Sequence, residues 1–248
     1  MITSRDNPRV KRWARLVQDA RLRRRERRAL VEGPHLVALA APIVVLVSES
    51  GVKRKEIQDL VGSREAIVLA DKVFRAIVDA QSPQGIAAEI EIPESTPLAA
   101  PAVFLECVQD PGNVGTILRS AAAFGVKAAV LDRACADPWS PKVLRAGMGA
   151  HFALSIQETG DLGEQMESFP GRVLCTVPRG GVRLADADLA GAIGWLFGGE
   201  GEGVSPGLQA RAHQRITIGM APGAESLNVA AAAAICFHES FSRPGGGS

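Results

Sequence analysis

A chain of 248 residues with 46% hydrophobic and 22% charged side chains can bury one large core or two modest ones. Its formal net charge of +1 identifies no partner, and four widely separated cysteines with no Cys-x-x-Cys pair exclude a disulfide scaffold or a structural zinc site. The longest apolar run, residues 36–47, is too short to span a bilayer and is broken by Pro42, so the chain reads as a cytoplasmic protein with reduced thiols, no metal and no membrane segment.

Charge is unevenly placed. The first thirty residues hold eleven basic side chains against three acidic ones, a local charge of +8 on a chain whose total is +1. Val10, Trp13, Ala14, Leu16 and Val17 recur at near-helical spacing within this segment, which predicts one or two basic helices over 7–30. Such an arm suits a polyanion, with Arg23, Arg24, Arg25, Arg27 and Arg28 as the RNA-binding candidates.

Beyond the arm (1–28), short strands and helices alternate up to residue 92. Strands are expected at 29–32, 43–47, 66–69 and 86–92, and helices at 36–41, 53–62 and 71–80, with Asp71 as a cap. This is a small α/β domain, 29–92. Three prolines between Ile92 and Pro101 mark a linker, 93–101. The second domain, 102–242, shows strands at 102–108, 128–131, 173–177, 193–197 and 216–218, and helices at 114–124, from 142, and at 227–241. Alternation of this kind predicts a mostly parallel sheet covered on both faces. Residues 243–248 read as a disordered tail.

Three stretches stand out. The glycine cluster 198–203 follows an apolar strand, yet G-x-G-x-x-G fits no register and no Gly-Lys-Ser/Thr occurs, so dinucleotide and P-loop readings fail. Glycines there admit a ligand close to backbone, and Glu200 can orient a polar group. Asn113 opens a helix six positions before Arg119, which sits among small residues; a packed arginine needs a phosphate or carboxylate. Near the C-terminus, Pro222-Gly223, Ser226-Leu227-Asn228-Val229 and five alanines read as a tight loop feeding a closely packed helix.

Taken in order, Asn113-Val114-Gly115-x-x-x-Arg119, Gly198-x-Glu200-Gly201-x-Gly203 and Ser226-Leu227-Asn228-Val229 resemble the three motifs of the SpoU (TrmH) family of AdoMet-dependent RNA ribose 2′-O-methyltransferases, in the SPOUT superfamily. The resemblance covers about residues 103–240. Val31-Glu32-Gly33-Pro34 also resembles the start of the ribosomal-protein-like substrate-binding domain that precedes the catalytic domain in many members. The resemblance implies an α/β catalytic domain with a deep trefoil knot, S-adenosyl-L-methionine as cofactor, and a homodimer whose subunits jointly form the site.

The family's roles fall on matching positions. Arg119 would act on the ribose 2′-hydroxyl, Asn113 would help hold it, and Glu200, Ser226 and Asn228 would support that arginine or the substrate. The cofactor would lie against Thr176, Gly198, Ile218, Met220 and Leu227. Members usually read Ile-Pro-Met where this chain has Ile218-Gly219-Met220. The implied substrate is structured RNA, ribosomal (large-subunit) RNA first. The alternatives are transfer RNA, or a non-catalytic RNA-binding or ribosome-assembly protein that kept the fold.

Overall fold

A computed structural model describes residues 1–243. The tail expected at 243–248 therefore lies outside the described residues except for Arg243. The chain forms two compact units, one of Met1–Glu94 with Trp139–Phe152, the other of Ser95–Pro138 with the chain from Ala153. No helix among the described residues is long and apolar enough to cross a membrane.

In the first unit, helices α1 (Pro8–Gln18) and α2 (Ala20–Glu26) precede strand β1 (Arg28–Glu32). Asn7 caps the first helix and Asp19 the second, each side chain accepting from a backbone N–H two or three residues on. Helix α3 (Pro34–Leu39), strand β2 (Pro42–Ser48), helix α4 (Lys55–Val61), strand β3 (Ala66–Leu69), a short α5 (Asp71–Phe74) and strand β4 (Ile86–Glu91) complete it. The sheet order is β1-β4-β2-β3, with only β2 and β3 parallel. Val10, Trp13 and Leu16 bury one face of α1 among Leu22, Leu30, Leu46, Phe74 and Ala87.

Two local expectations are corrected here. Asp71 does not cap its helix; its carboxylate accepts from Ser50 N at 2.9 Å and Ser50 Oγ at 2.8 Å. The helix expected over 71–80 stops at Phe74: the Ala76 and Ile77 amides bond only three residues back, to the Val73 and Phe74 carbonyls, and the Asp79 and Ala80 amides bond the Glu32 carboxylate, at 3.3 and 3.2 Å.

The basic arm is not a free tail. Arg12 forks onto Glu89, both bonds at 2.9 Å, and reaches Glu26 at 2.8 Å, while Trp13 Nε1 donates to Glu89 at 2.8 Å. Burial raises the Glu89 carboxyl, but Arg12, Trp13 and Arg28 outweigh it and hold the group below its ordinary value. Arg23 is buried, its guanidinium donating to the Leu16 and Val17 carbonyls. Arg27 binds Glu94 at 2.6 Å, and Arg28 approaches Glu91 at 3.3 Å. Of the five RNA-binding candidates, Arg23 thus fastens the second helix to the first, Arg27 and Arg28 carry carboxylate partners, and Arg24 and Arg25 stand exposed, Arg25 lying 3.6 Å from Glu26. An arginine run discloses its charge but not which guanidinium folds inward.

The second unit begins with β5 (Ala102–Glu106), α6 (Pro111–Ala123) and β6 (Ala128–Asp132). Helix α7 (Pro141–Gly147) belongs to the first unit, an excursion from within the expected 102–242 domain. There α7 packs on β1, and Arg145 reaches Asp79 at 2.6 Å. The second unit resumes with β7 (Ser155–Thr159), α8 (Leu162–Ser168), β8 (Arg172–Thr176), β9 (Val182–Arg183), β10 (Ile193–Gly198), α9 (Pro206–Arg211), β11 (Gln214–Thr217) and α10 (Val229–Ser242). Its seven strands run in the order β7-β6-β5-β10-β8-β11-β9 and are all parallel.

Fully buried strands such as β5, β6 and β10 read as continuous apolar runs, because helices cover both faces. Helix α10 lies against α6 and β10, where its alanines let the backbones approach and Phe237 meets Phe197 edge-on at 5.8 Å. The chain runs outward from β5 to β7 and then crosses to β8 beyond β10. Ligands in open parallel sheets bind at the carboxyl ends of strands beside such a reversal.

Candidate active site

At the carboxyl ends of β8, β10 and β11, a cavity of about 390 Å³ opens, within the range of small-molecule sites. Its wall comes from Thr176–Pro178 after β8, the glycine loop 198–204 after β10, Ile218 and Met220 after β11, and the start of α10.

The glycine loop is built for close approach. It folds back so that Gly203 N donates to Gly199 O at 3.1 Å. A side chain at Gly198 would overlap the backbone of Gly203 and Val204, and one at Gly199 would strike the Cys107 carbonyl. Gly201 and Gly203 have φ of +103° and +68°, conformations that L side chains rarely adopt. Glu106, at the end of β5, accepts from Ser205 N at 2.7 Å and ties the loop's far end to the sheet.

A hydrogen-bonded chain of three side chains crosses the cavity's rim. Asn228 caps α10 with its Oδ1, accepting from Ala230 N at 2.9 Å and Ala231 N at 3.2 Å. That leaves only its Nδ2 free to donate, and it does so to Asn113 Oδ1 at 3.0 Å. With its oxygen so engaged, Asn113 presents its own Nδ2 to the Glu200 carboxylate. The cap therefore dictates both amide orientations in turn. Asn113 is available for this because Asp110, not Asn113, caps α6, its carboxylate accepting from Asn113 N at 2.8 Å.

All five expected cofactor residues, Thr176, Gly198, Ile218, Met220 and Leu227, line this one cavity, as do Glu200, Ser226 and Asn228. Sequence reasoning missed Val177, Pro178 and Gln209. Position beside the end of a predicted strand would have found the first two. Gln209 lies on α9, a helix not among those expected, which Ser205 caps and Pro206 opens.

Arg119 stands apart. The expectation of a packed guanidinium is corrected: Leu118 and Ala121 turn to the core, while Arg119 is exposed and does not line the cavity. Among the described residues it has no hydrogen bond or ion pair. Six helical residues carry it about 9 Å along α6 and about 120° around the axis from Asn113.

Three thiols are inert by burial, Cys135, Cys175 and Cys236; burial raises each, and the one on β8 is pushed up to about 12. No cluster of three or more His, Cys, Asp or Glu among the described residues could hold a metal ion.

Residues 100–238 match the model of the SpoU rRNA Methylase family, and residues 7–88 match that of the MRM3-like substrate binding domain. A Synechocystis protein described as an uncharacterised tRNA/rRNA methyltransferase is 33% identical, over 96% of this chain and 92% of its own. RlmP of Bacillus subtilis, a 23S rRNA guanosine 2′-O-methyltransferase, is 32% identical over 94% of this chain and 96% of its own. The crystal structure of an AdoMet-bound rRNA methyltransferase from Sinorhizobium meliloti superposes with a TM-score of 0.80 at 30% identity, covering 96% of each chain.

Proposed function

The chain belongs to the SpoU rRNA Methylase family, and on that premise we propose that it transfers a methyl group from S-adenosyl-L-methionine to a ribose 2′-hydroxyl of ribosomal RNA, working in the cytoplasm. The observation that carries this reading is the Asn228–Asn113–Glu200 chain at the rim of a glycine-walled cavity. An RNA-binding protein that had only kept the fold would have no need of it.

The cavity's size and its glycine cradle fit the cofactor, whose place would be against Gly198, Ile218, Met220 and Leu227. When bound it supplies a sulfonium methyl for in-line displacement. The protein's part is to align the ribose and ease loss of its 2′-hydroxyl proton. Alignment alone contributes up to about 7–11 kcal/mol in the best intramolecular systems. A guanidinium is too weak an acid to act as a base at neutral pH, so Arg119 serves by stabilising the developing alkoxide electrostatically, an RNA phosphate taking the proton.

Exposure of Arg119 supports a site shared between two copies of the chain. On α6, Thr116, Arg119 and Ala123 form an exposed stripe; on α10, Ile235 and Phe241 remain 40% and 49% exposed. Phe124 packs between the two helices against His238 and Phe241, at 5.7 and 5.9 Å. We assign this face to a homodimer in which Arg119 serves the partner's cavity. Passage of 218–242 through the preceding loops as a trefoil knot belongs to the same proposal, and the alanines of α10 suit such close threading. Methyl-labelled cofactor with protein-free RNA tests the function: label should enter RNA with the native chain, and none with Gly198→Ala.

A further inference from the structure

Three arginines gather at the outer edge of the large sheet. Arg179 follows Pro178, a cavity residue, and Arg183 and Arg215 stand on the two last strands, β9 and β11. The parallel register sets Arg183 beside Thr217, and Thr217 shares a face with Arg215 two positions earlier, so both guanidinium stems rise from one face. Arg183 Nη2 lies 3.9 Å from where a Cβ on Gly219 would stand, over the loop between cavity residues Ile218 and Met220.

All three side chains are exposed, and among the described residues none has a hydrogen bond or ion pair. Segments 176–183 and 214–220 carry these three arginines and no acid. The contrast with the N-terminal segment is direct: there Arg12, Arg27 and Arg28 each hold a glutamate. Three like charges on the strands and loop beside the cavity, with no carboxylate paired to them among the described residues, present planar forks that match phosphate oxygens.

We propose that Arg179, Arg183 and Arg215 form a phosphate-binding edge that holds the RNA strand flanking the target nucleotide. The proposal rests on the methyltransferase reading and places part of the RNA footprint on the catalytic unit itself. Each phosphate contact contributes about 0.7–0.9 to the slope of log affinity against log salt.

The test measures methyl transfer to protein-free total RNA from a strain lacking this gene, at several salt concentrations. Arg179→Gln/Arg183→Gln/Arg215→Gln should raise the KM for RNA about tenfold or more and flatten its salt dependence by about two to three contacts. The kcat at saturating RNA and the KM for AdoMet should stay within about twofold, and the triple lysine variant should keep most of the salt slope. An unchanged RNA KM and slope, or a rise confined to the AdoMet KM, would overturn the proposal. A wild-type chain that methylates no RNA would instead sink the functional reading, and this edge with it.

Discussion

Asn228 and Asn113, 115 positions apart in sequence, are joined by a 3.0 Å bond from Nδ2 to Oδ1, and the first of them is also the cap of the last helix. One side chain thus fixes both where α10 starts and how the Asn113 amide faces. Asn228→Asp keeps a capping oxygen but replaces the donor with a carboxylate facing Asn113 Oδ1. Stability should change by less than about 1 kcal/mol while kcat falls about 10–100-fold, the worth of one polar contact left unmade. Asn228→Ala loses the cap as well and should cost about 0.5–2 kcal/mol in unfolding. Urea melts beside kinetics separate the effects; full activity in Asn228→Asp would disconnect the amide chain from catalysis.

Arg119→Ala should abolish methyl transfer with AdoMet affinity unchanged, since its side chain lies outside the cavity. Arg119→Lys should also be severely impaired, because lysine keeps the charge but not the planar fork. Mixing inactive Arg119→Ala with inactive Gly198→Ala distinguishes whose cavity the arginine serves. If it serves the partner's, random dimers regain about a quarter of wild-type activity, one intact site in half the dimers. No recovery would place Arg119 with its own chain's cavity.

Much of this was legible in the sequence. The strands of the large sheet announce themselves as short apolar runs, and the glycine loop, Asn113 and Asn228 fall within recognisable motifs. What was hidden depends on tertiary partners. Strand β7 reads Ser-Ile-Gln-Glu-Thr because it is an edge strand, without the continuous apolar run of its buried neighbours. Beyond α5, where the helix was expected to continue, the Asp79 and Ala80 amides bond Glu32, 47 and 48 residues earlier. The inward turn of Arg23 and the excursion of 139–152 leave no local trace either, since both are set by packing rather than by periodicity.

Acid should loosen the first unit through Glu89. Its folded pKa lies below the ordinary 4.5, so its contribution is complete above that value and is lost as pH falls through the lower folded one. Glu89→Gln should therefore lower stability by on the order of 2 kcal/mol at neutral pH and lose part of the decline below about pH 4.5. Denaturant midpoints at pH 7 and pH 3.5 would show it; parallel declines in both proteins would remove Glu89 from the acid response.

Only Cys107 is exposed among the four thiols, and even there burial and the neighbouring Asp132 carboxylate raise its pKa. A thiol reagent at neutral pH should label one cysteine slowly in the native chain and four after unfolding. Rapid native labelling of Cys175 would mean that β8, the floor beside the cavity, opens readily.

The central claim concerns the ribose hydroxyl, and alkali reads it directly. A 2′-O-methyl group removes the nucleophile by which hydroxide cleaves the neighbouring phosphodiester. RNA labelled by this chain from methyl-tritiated AdoMet should therefore yield its label in alkali-resistant dinucleotides; label recovered in mononucleotides would place the methyl on a base and contradict the account.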